Sequence, residues 1–239
     1  MLKLISKTAN KLPLPTSCYG CQNLIINKSA SYSLCQDCYD NLPRFNDSTC
    51  SFCFHEHPSN QCLETDEWRL DELRSIFHYH KPVSRWLLSF KYNHNLLVGR
   101  ILQDLFYRYW QLNAHLFEEY DFIIPMPRHK KFNLRPKLNA IFYIVKGIKL
   151  AKLRIDKIKH TKSLPRQATL NKAQREKNMS KRGIFKVDKT LSGKSILLLD
   201  DVCTTGATIR NLARELRINK VKKVGALVFM REGWNRLQR

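Results

Sequence analysis

The stretch from Ile196 to Thr208 narrows the fold more than any other in the chain. Four aliphatic residues, Ile196-Leu197-Leu198-Leu199, run into two adjacent acids, Asp200 and Asp201. Val202 and Cys203 follow, and then the small polar turn Thr204-Thr205-Gly206-Ala207-Thr208. A short, uncharged aliphatic run suits a strand buried on both faces, as in a parallel sheet. The turn offers backbone N–H groups at the start of a helix, where phosphate binds well. Gly206 permits close backbone approach, and the threonine hydroxyls add donors. Paired acids repel a phosphate but accept from a sugar diol, directly or through Mg²⁺. The unit therefore reads as a site for a ribose 5-phosphate compound at the carboxyl edge of a sheet. A Walker-type loop needs Gly-Lys-Ser/Thr, and this turn has no lysine.

The flanking sequence supplies the rest of such a sheet. Ser75 to His80 reads as a short extended piece within a largely helical stretch, 66–118. Val83 to Phe90 and Leu96 to Trp110 have helical spacing, with Ile101, Leu102, Leu105, Phe106 and Tyr109 on one face of the second. Phe122-Ile123-Ile124 reads as a buried strand ended by Pro125-Met126-Pro127. Leu138 to Leu153 reads as a helix and Leu153 to Ile158 as a strand. Residues 159–183 are basic and poor in apolar groups, and read as a long functional loop. Ser195 to Leu199 is a strand, Thr208 to Leu216 a helix and Lys223 to Met230 a last strand. Strands alternating with helices imply an α/β domain with a mainly parallel sheet.

The cysteines mark off a different head. Seven of the eight fall between Cys18 and Cys62. Cys18-x2-Cys21 and Cys35-x2-Cys38 stand thirteen residues apart, and Cys50-x2-Cys53 and Cys62 follow. Two such knuckles are the spacing of a tetrahedral thiolate zinc site. Disulfides compete for the same residues. A chain whose start lacks a signal-peptide core reads as cytoplasmic, which disfavours them. Structural zinc on Cys18, Cys21, Cys35 and Cys38 is therefore expected. Cys50, Cys53 and Cys62 supply three sulfurs. Either His55 or His57 completes a second site, or the cluster packs without metal. The expected division is a zinc-binding segment, 1–65, and the α/β domain, 66–239.

Charge divides the chain again. The formal net charge is +22. Residues 128–186 hold nineteen basic and two acidic side chains, net +17, and residues 210–239 add nine against two. Such segmentation points to a polyanion partner. Candidate phosphate contacts are Lys130, Lys131, Lys137, Lys172, Lys177, Lys181 and Arg182. Phe132, Phe142 and Tyr143 interleave with the basic residues and offer stacking surfaces for bases, although helical spacing favours core packing for the last two. No motif that reads base sequence is evident. The longest apolar runs are far too short to span a bilayer.

The thirteen residues from Ile196 to Thr208 closely resemble the 5-phosphoribosyl-1-pyrophosphate (PRPP) signature of type I phosphoribosyltransferases. The resemblance implies that Asp200 and Asp201 hold the ribose hydroxyls. It gives the 5′-phosphate to the turn of Thr204, Thr205, Gly206, Ala207 and Thr208. Pro125-Met126-Pro127-Arg128 stands where that family grips pyrophosphate, with Mg²⁺ carried by PRPP. The cysteine head joined to such a domain resembles the ComF (ComFC) competence proteins. So do the Ile124-Pro125-Met126-Pro127 turn and the series Gln167, Arg175, Asn178, Phe185. Where that family usually has Arg-Gly-Phe-Asn-Gln, this chain has Arg135-Pro136-Lys137-Leu138-Asn139. The resemblance implies a protein that handles incoming single-stranded DNA in natural transformation, at the inner face of the inner membrane, beside helicase or primosome proteins. The other reading is an active phosphoribosyltransferase of nucleotide metabolism. Its acceptor is not legible, and it has no need of the basic block.

Overall fold

The computed structural model describes residues 16–25, 34–45, 70–127, 140–146, 150, 152–161 and 184–232. Its contacts group the chain into two units, Met1–Asn41 and Leu42–Arg239. The boundary expected at residue 65 lies outside the described residues.

In the first unit, β1 (Thr16–Ser17) pairs antiparallel with β2 (Leu24–Ile25), and a short helix α1 (Gln36–Asp40) follows. The second unit is built on a parallel sheet of β3 (Glu72–His78), β4 (Phe122–Pro125), β7 (Ser195–Cys203) and β8 (Lys223–Arg231), in the order β3-β8-β7-β4. The central strands β7 and β8 are buried almost throughout, as their aliphatic runs require. Helices α2 (Val83–Asn93), α3 (Leu96–Asn113) and α4 (Ala140–Lys146) pack in series. Phe90 meets Tyr143 with ring centroids 4.7 Å apart, so the half-buried Tyr143 packs against α2. Gly99 is required there, because a Cβ on it would stand 2.7 Å from both rings.

Alternation along β7 and β8 separates two faces. Ile196, Leu198, Val224, Ala226 and Val228 form one core with Ile209, Leu212, Ala213 and Leu216 of helix α5 (Ala207–Ile218). A small antiparallel ribbon, β5 (Ile158–His160) and β6 (Phe185–Val187), adds Ile158 and Phe185 to that core. Leu197, Leu199, Leu227 and Phe229 face the other way, with Phe77 edge-on to Phe229. The α/β architecture with a parallel sheet expected from the sequence is thus present.

Three local expectations need correction. The strand expected at Leu153 to Ile158 is displaced: Leu153 makes one parallel bridge to Ile123, and the ladder begins at Ile158. Between them Ile155 is 58% exposed, so the alternation of apolar residues there does not reflect a buried face. The helix expected over Leu138 to Leu153 spans Ala140–Lys146 among the described residues, and Leu153 belongs to the sheet side. Lys159 and His160, placed in a loop by sequence, lie in β5. Residues 162–183 lie outside the described residues. Among the described residues, no helix is long and apolar enough to cross a membrane.

Candidate ligand site and metal centre

The cysteine head brings its four sulfurs together. A tight turn carries the chain from Cys18 to Asn23: Gln22 N–H donates to the Cys18 carbonyl at 2.8 Å, and Cys18 N–H to the Asn23 carbonyl at 2.7 Å. Gln22 takes a left-handed conformation, φ 66°, to make this turn. Gly20 stands where any side chain would collide, since a Cβ would lie 2.7 Å from the Cys38 Sγ. The second knuckle is built differently. Cys35 caps helix α1 and Cys38 sits within it. The ligand atoms of Cys18, Cys21, Cys35 and Cys38 all lie within 4.8 Å of one another, and Cys21 Sγ is 3.8 Å from Cys35 Sγ. Sulfurs at about 2.3 Å from a tetrahedral zinc stand about 3.8 Å apart, so the set fits that metal.

The local electrostatics favour thiolate at one corner. The N–H groups of Gly20 and Cys35 donate to Cys18 Sγ at 3.3 and 3.2 Å. Burial alone raises the Cys18 thiol, but backbone N–H donors overcome this and hold it at about 6. Burial and the neighbouring sulfurs push Cys38 up. A cation among the four sulfurs removes that conflict. These cysteines are free of disulfides. Cys50, Cys53 and Cys62 lie outside the described residues.

The second site lies at the carboxyl edge of the sheet. Strand β7 continues beyond its aliphatic run, so Asp200 and Asp201 are strand residues rather than turn residues. The register sets Pro125 opposite Leu199, and Met126 N–H donates to the Leu199 carbonyl at 2.7 Å. The Pro125-Met126-Pro127 turn therefore leaves the sheet one residue from the acid pair; Arg128 lies outside the described residues. On the other side the register sets Cys203 opposite Arg231, and Glu232 N–H donates to the Cys203 carbonyl at 3.0 Å.

Between β7 and α5 the chain makes an open turn. Thr204, Thr205 and Thr208 are exposed, Ala207 is half-buried and Gly206 is buried. Gly206 adopts φ 66° and starts α5 with no capping side chain. The N–H groups of the first helical turn have no carbonyl partner within the helix. Together they form a positive, solvent-facing rim. Asp201 is 7% exposed and Asp200 half-buried. Asp200 Oδ1 accepts from the Asp201 N–H at 2.8 Å.

Two charged residues here were not found by sequence reasoning. Lys91, in the last turn of α2, places its Nζ 2.8 Å from Asp201 Oδ1. Nothing local signals a partner 110 positions away. Arg231, fully buried at the end of β8, stands beside Cys203. A basic residue closing an aliphatic strand was its one visible sign. Lys130, Lys131, Lys137, Lys172, Lys177, Lys181 and Arg182 lie outside the described residues.

A parallel sheet with an open turn and an acid pair at its carboxyl edge is the architecture of a phosphoribosyltransferase-type domain, and residues 138–238 match the model of the phosphoribosyl transferase domain family. Over that stretch the chain is similar to such domains. It is also similar along 87% of its length to two named proteins: Competence protein ComFC of Streptococcus pneumoniae, 23% identical over 92% of that protein, and Competence protein F of Haemophilus influenzae, 25% identical over 86%. A solved structure titled as the allosteric regulatory enzyme of purine biosynthesis shares 17% identity at a TM-score of 0.36, over 55% of this chain and 26% of that one.

Proposed function

We propose that the protein serves natural transformation by handling incoming single-stranded DNA, and that its α/β domain binds PRPP or a related ribose 5-phosphate compound. One observation carries the ligand half. The acid pair, the open turn before α5 and the Pro125-Met126-Pro127 turn meet at one edge of the sheet. The acids accept the ribose diol, the N–H groups and hydroxyls of Thr204 to Thr208 take the 5′-phosphate, and the proline turn faces the pyrophosphate side. Mg²⁺ arrives with PRPP and offsets the pyrophosphate charge. The names of its relatives and the +17 block at 128–186 support the DNA half. Lys and Arg neutralise phosphates and release counter-ions, which gives binding with little base preference. Zinc on the four cysteines holds the head folded, and a four-thiolate site leaves no open position for catalysis. Action beside a helicase or primosome at the inner face of the inner membrane belongs to the same reading.

The test is one joint titration of the full chain. PRPP with Mg²⁺ raises the melting temperature, as a ligand preferring the native state must. Single-stranded DNA binds with steep salt dependence, the slope of log K against log salt flattening by about 0.7 for each phosphate contact removed. Reversing four of the candidate lysines to Glu removes most DNA binding. PRPP competes with DNA if the strand crosses the acid-lined pocket and binds independently if it does not. DNA binding that is insensitive to salt overturns the electrostatic reading and puts the metabolic transferase ahead.

A further inference from the structure

Two carboxylates on consecutive strand residues, one of them 7% exposed, are costly at the edge of an apolar core. They also oppose an incoming phosphorylated ligand. Within the α/β unit a cation already meets this need. Lys91 crosses from the last turn of α2 and sets its ammonium 2.8 Å from Asp201 Oδ1. Both side chains are largely screened from water, 21% and 10% exposed, so the pair is stronger than a surface bridge. Lys91 is held there by its helix: Trp86, Leu87 and Phe90 on the same helix are buried. The helix ends two residues later, where His94 turns left-handed at φ 53° and Asn95 caps α3 by accepting from Val98 N–H. Both helices are thus fixed on either side of the lysine, and its reach to Asp201 is set by the fold.

We propose that Lys91 is a positioning residue of the ligand site, an internal counter-ion that orients Asp201 and does for the acid pair what a divalent cation otherwise does. The proposal rests on the ribose 5-phosphate reading of this edge. The chemistry separates two ligands. PRPP carries a pyrophosphate whose charge still needs Mg²⁺. Ribose 5-phosphate lacks it, and with Asp201 already neutralised it binds without any metal. Removing the lysine takes this cation from Asp201, and Mg²⁺ then becomes necessary for the simpler ligand too.

The experiment is calorimetric titration of the full chain, wild type and Lys91 variants, with ribose 5-phosphate in EDTA and in excess Mg²⁺. The wild type binds in both. Lys91→Met loses about tenfold or more in EDTA, equivalent to about 1.4 kcal/mol, and recovers most of it in Mg²⁺. Lys91→Arg keeps binding in EDTA, because the charge is retained. Equal binding by Lys91→Met and wild type in EDTA overturns the proposal, as does a loss that Mg²⁺ does not restore. Where Lys91→Met fails to melt cooperatively, the wild type decides: a strict Mg²⁺ requirement for ribose 5-phosphate overturns the proposal. Failure of the underlying reading looks different, since the wild type then binds neither ribose 5-phosphate nor PRPP, with or without metal.

Discussion

The two ends of the parallel sheet are finished in opposite ways. At the amino edge, where β3, β4, β7 and β8 begin, charged groups are tied off one against another. Asp71 accepts from Val224 N–H at 2.6 Å and from Arg217 at 2.5 Å. Asp121 accepts from Ser195 N–H at 2.8 Å, Lys223 pairs with Glu119, and the Tyr120 hydroxyl donates to Glu72. Burial and that acid push the Tyr120 phenol up. At the carboxyl edge three threonines stand exposed and a helix begins without a capping side chain. The first edge spends its polar groups on itself; the second keeps the Lys91–Asp201 pair but turns its threonines outward. Stability and ligand binding should therefore separate under mutation. A metal held by the four cysteines would make that cluster a closed site as well.

The largest effect is expected where closure depends on a metal. Structural zinc contributes on the order of 10–16 kcal/mol of apparent binding energy, more than a short two-stranded head can replace. Cys18→Ser is expected to lose zinc by metal analysis and to leave the head open to limited proteolysis, while the α/β unit still melts cooperatively. Wild-type protein that is folded throughout yet free of metal would defeat the zinc reading.

Next comes Gly225→Ala at the amino edge. The new Cβ would stand 2.0 Å from the Tyr120 hydroxyl, so the ring must shift and release Glu72. Overpacking of this kind costs about 1–3 kcal/mol. The urea midpoint should fall while the affinity for PRPP, measured on the folded fraction, holds. A change in affinity equal to the loss in stability would show that the two edges are coupled.

Asp200→Ala should invert that result. The melting point without ligand should shift little, and the rise caused by PRPP should vanish; at a hundredfold excess over Kd that rise corresponds to about 2.7 kcal/mol. A PRPP-induced rise that survives the substitution removes the acid pair from the ligand site.

The smallest effect concerns acid. Asp188 accepts from the Thr190 N–H and hydroxyl and from Lys157, which hold its carboxyl at about 2. A lowered folded-state value contributes stability above the unfolded value of about 3.9, and the contribution is lost as pH falls from there toward 2. Asp188→Asn should flatten the urea midpoint against pH across that window and leave its slope near neutrality unchanged. An unaltered acid limb would mean that this carboxylate is not held in solution.

Much of this contrast is legible in the sequence. The apolar runs at 196–199 and 224–230 mark the two central strands, because a strand buried on both faces reads as a nearly continuous apolar stretch. Cysteine spacing marked the head, because two-residue knuckles impose their own geometry. The edges of elements were less legible. Leu153 to Ile158 reads as one strand, yet a turn exposing Ile155 separates the Leu153 bridge from the β5 ladder, and composition alone does not register a turn. Lys91 was invisible for another reason. Its role depends on a partner brought near only by the sheet, and a lysine ending an amphipathic helix looks like any solvated residue.

The strand order also bears on how the protein is made. β3 is complete at His78, but its parallel ladder is formed with β8, which begins at Lys223; the ladder of β4 likewise waits for β7. Synthesis proceeds at roughly 5–20 residues per second, so β3 emerges about 7–29 s before its partner exists. Throughout that interval Leu73, Ile76 and Phe77, all buried in the finished sheet, lack their cover on the ribosome. A nascent chain halted before residue 223 would hold β4 and β7 as a pair but leave β3 without its ladder, and the sheet would not be continuous. The last strand made is thus the one that licenses the first.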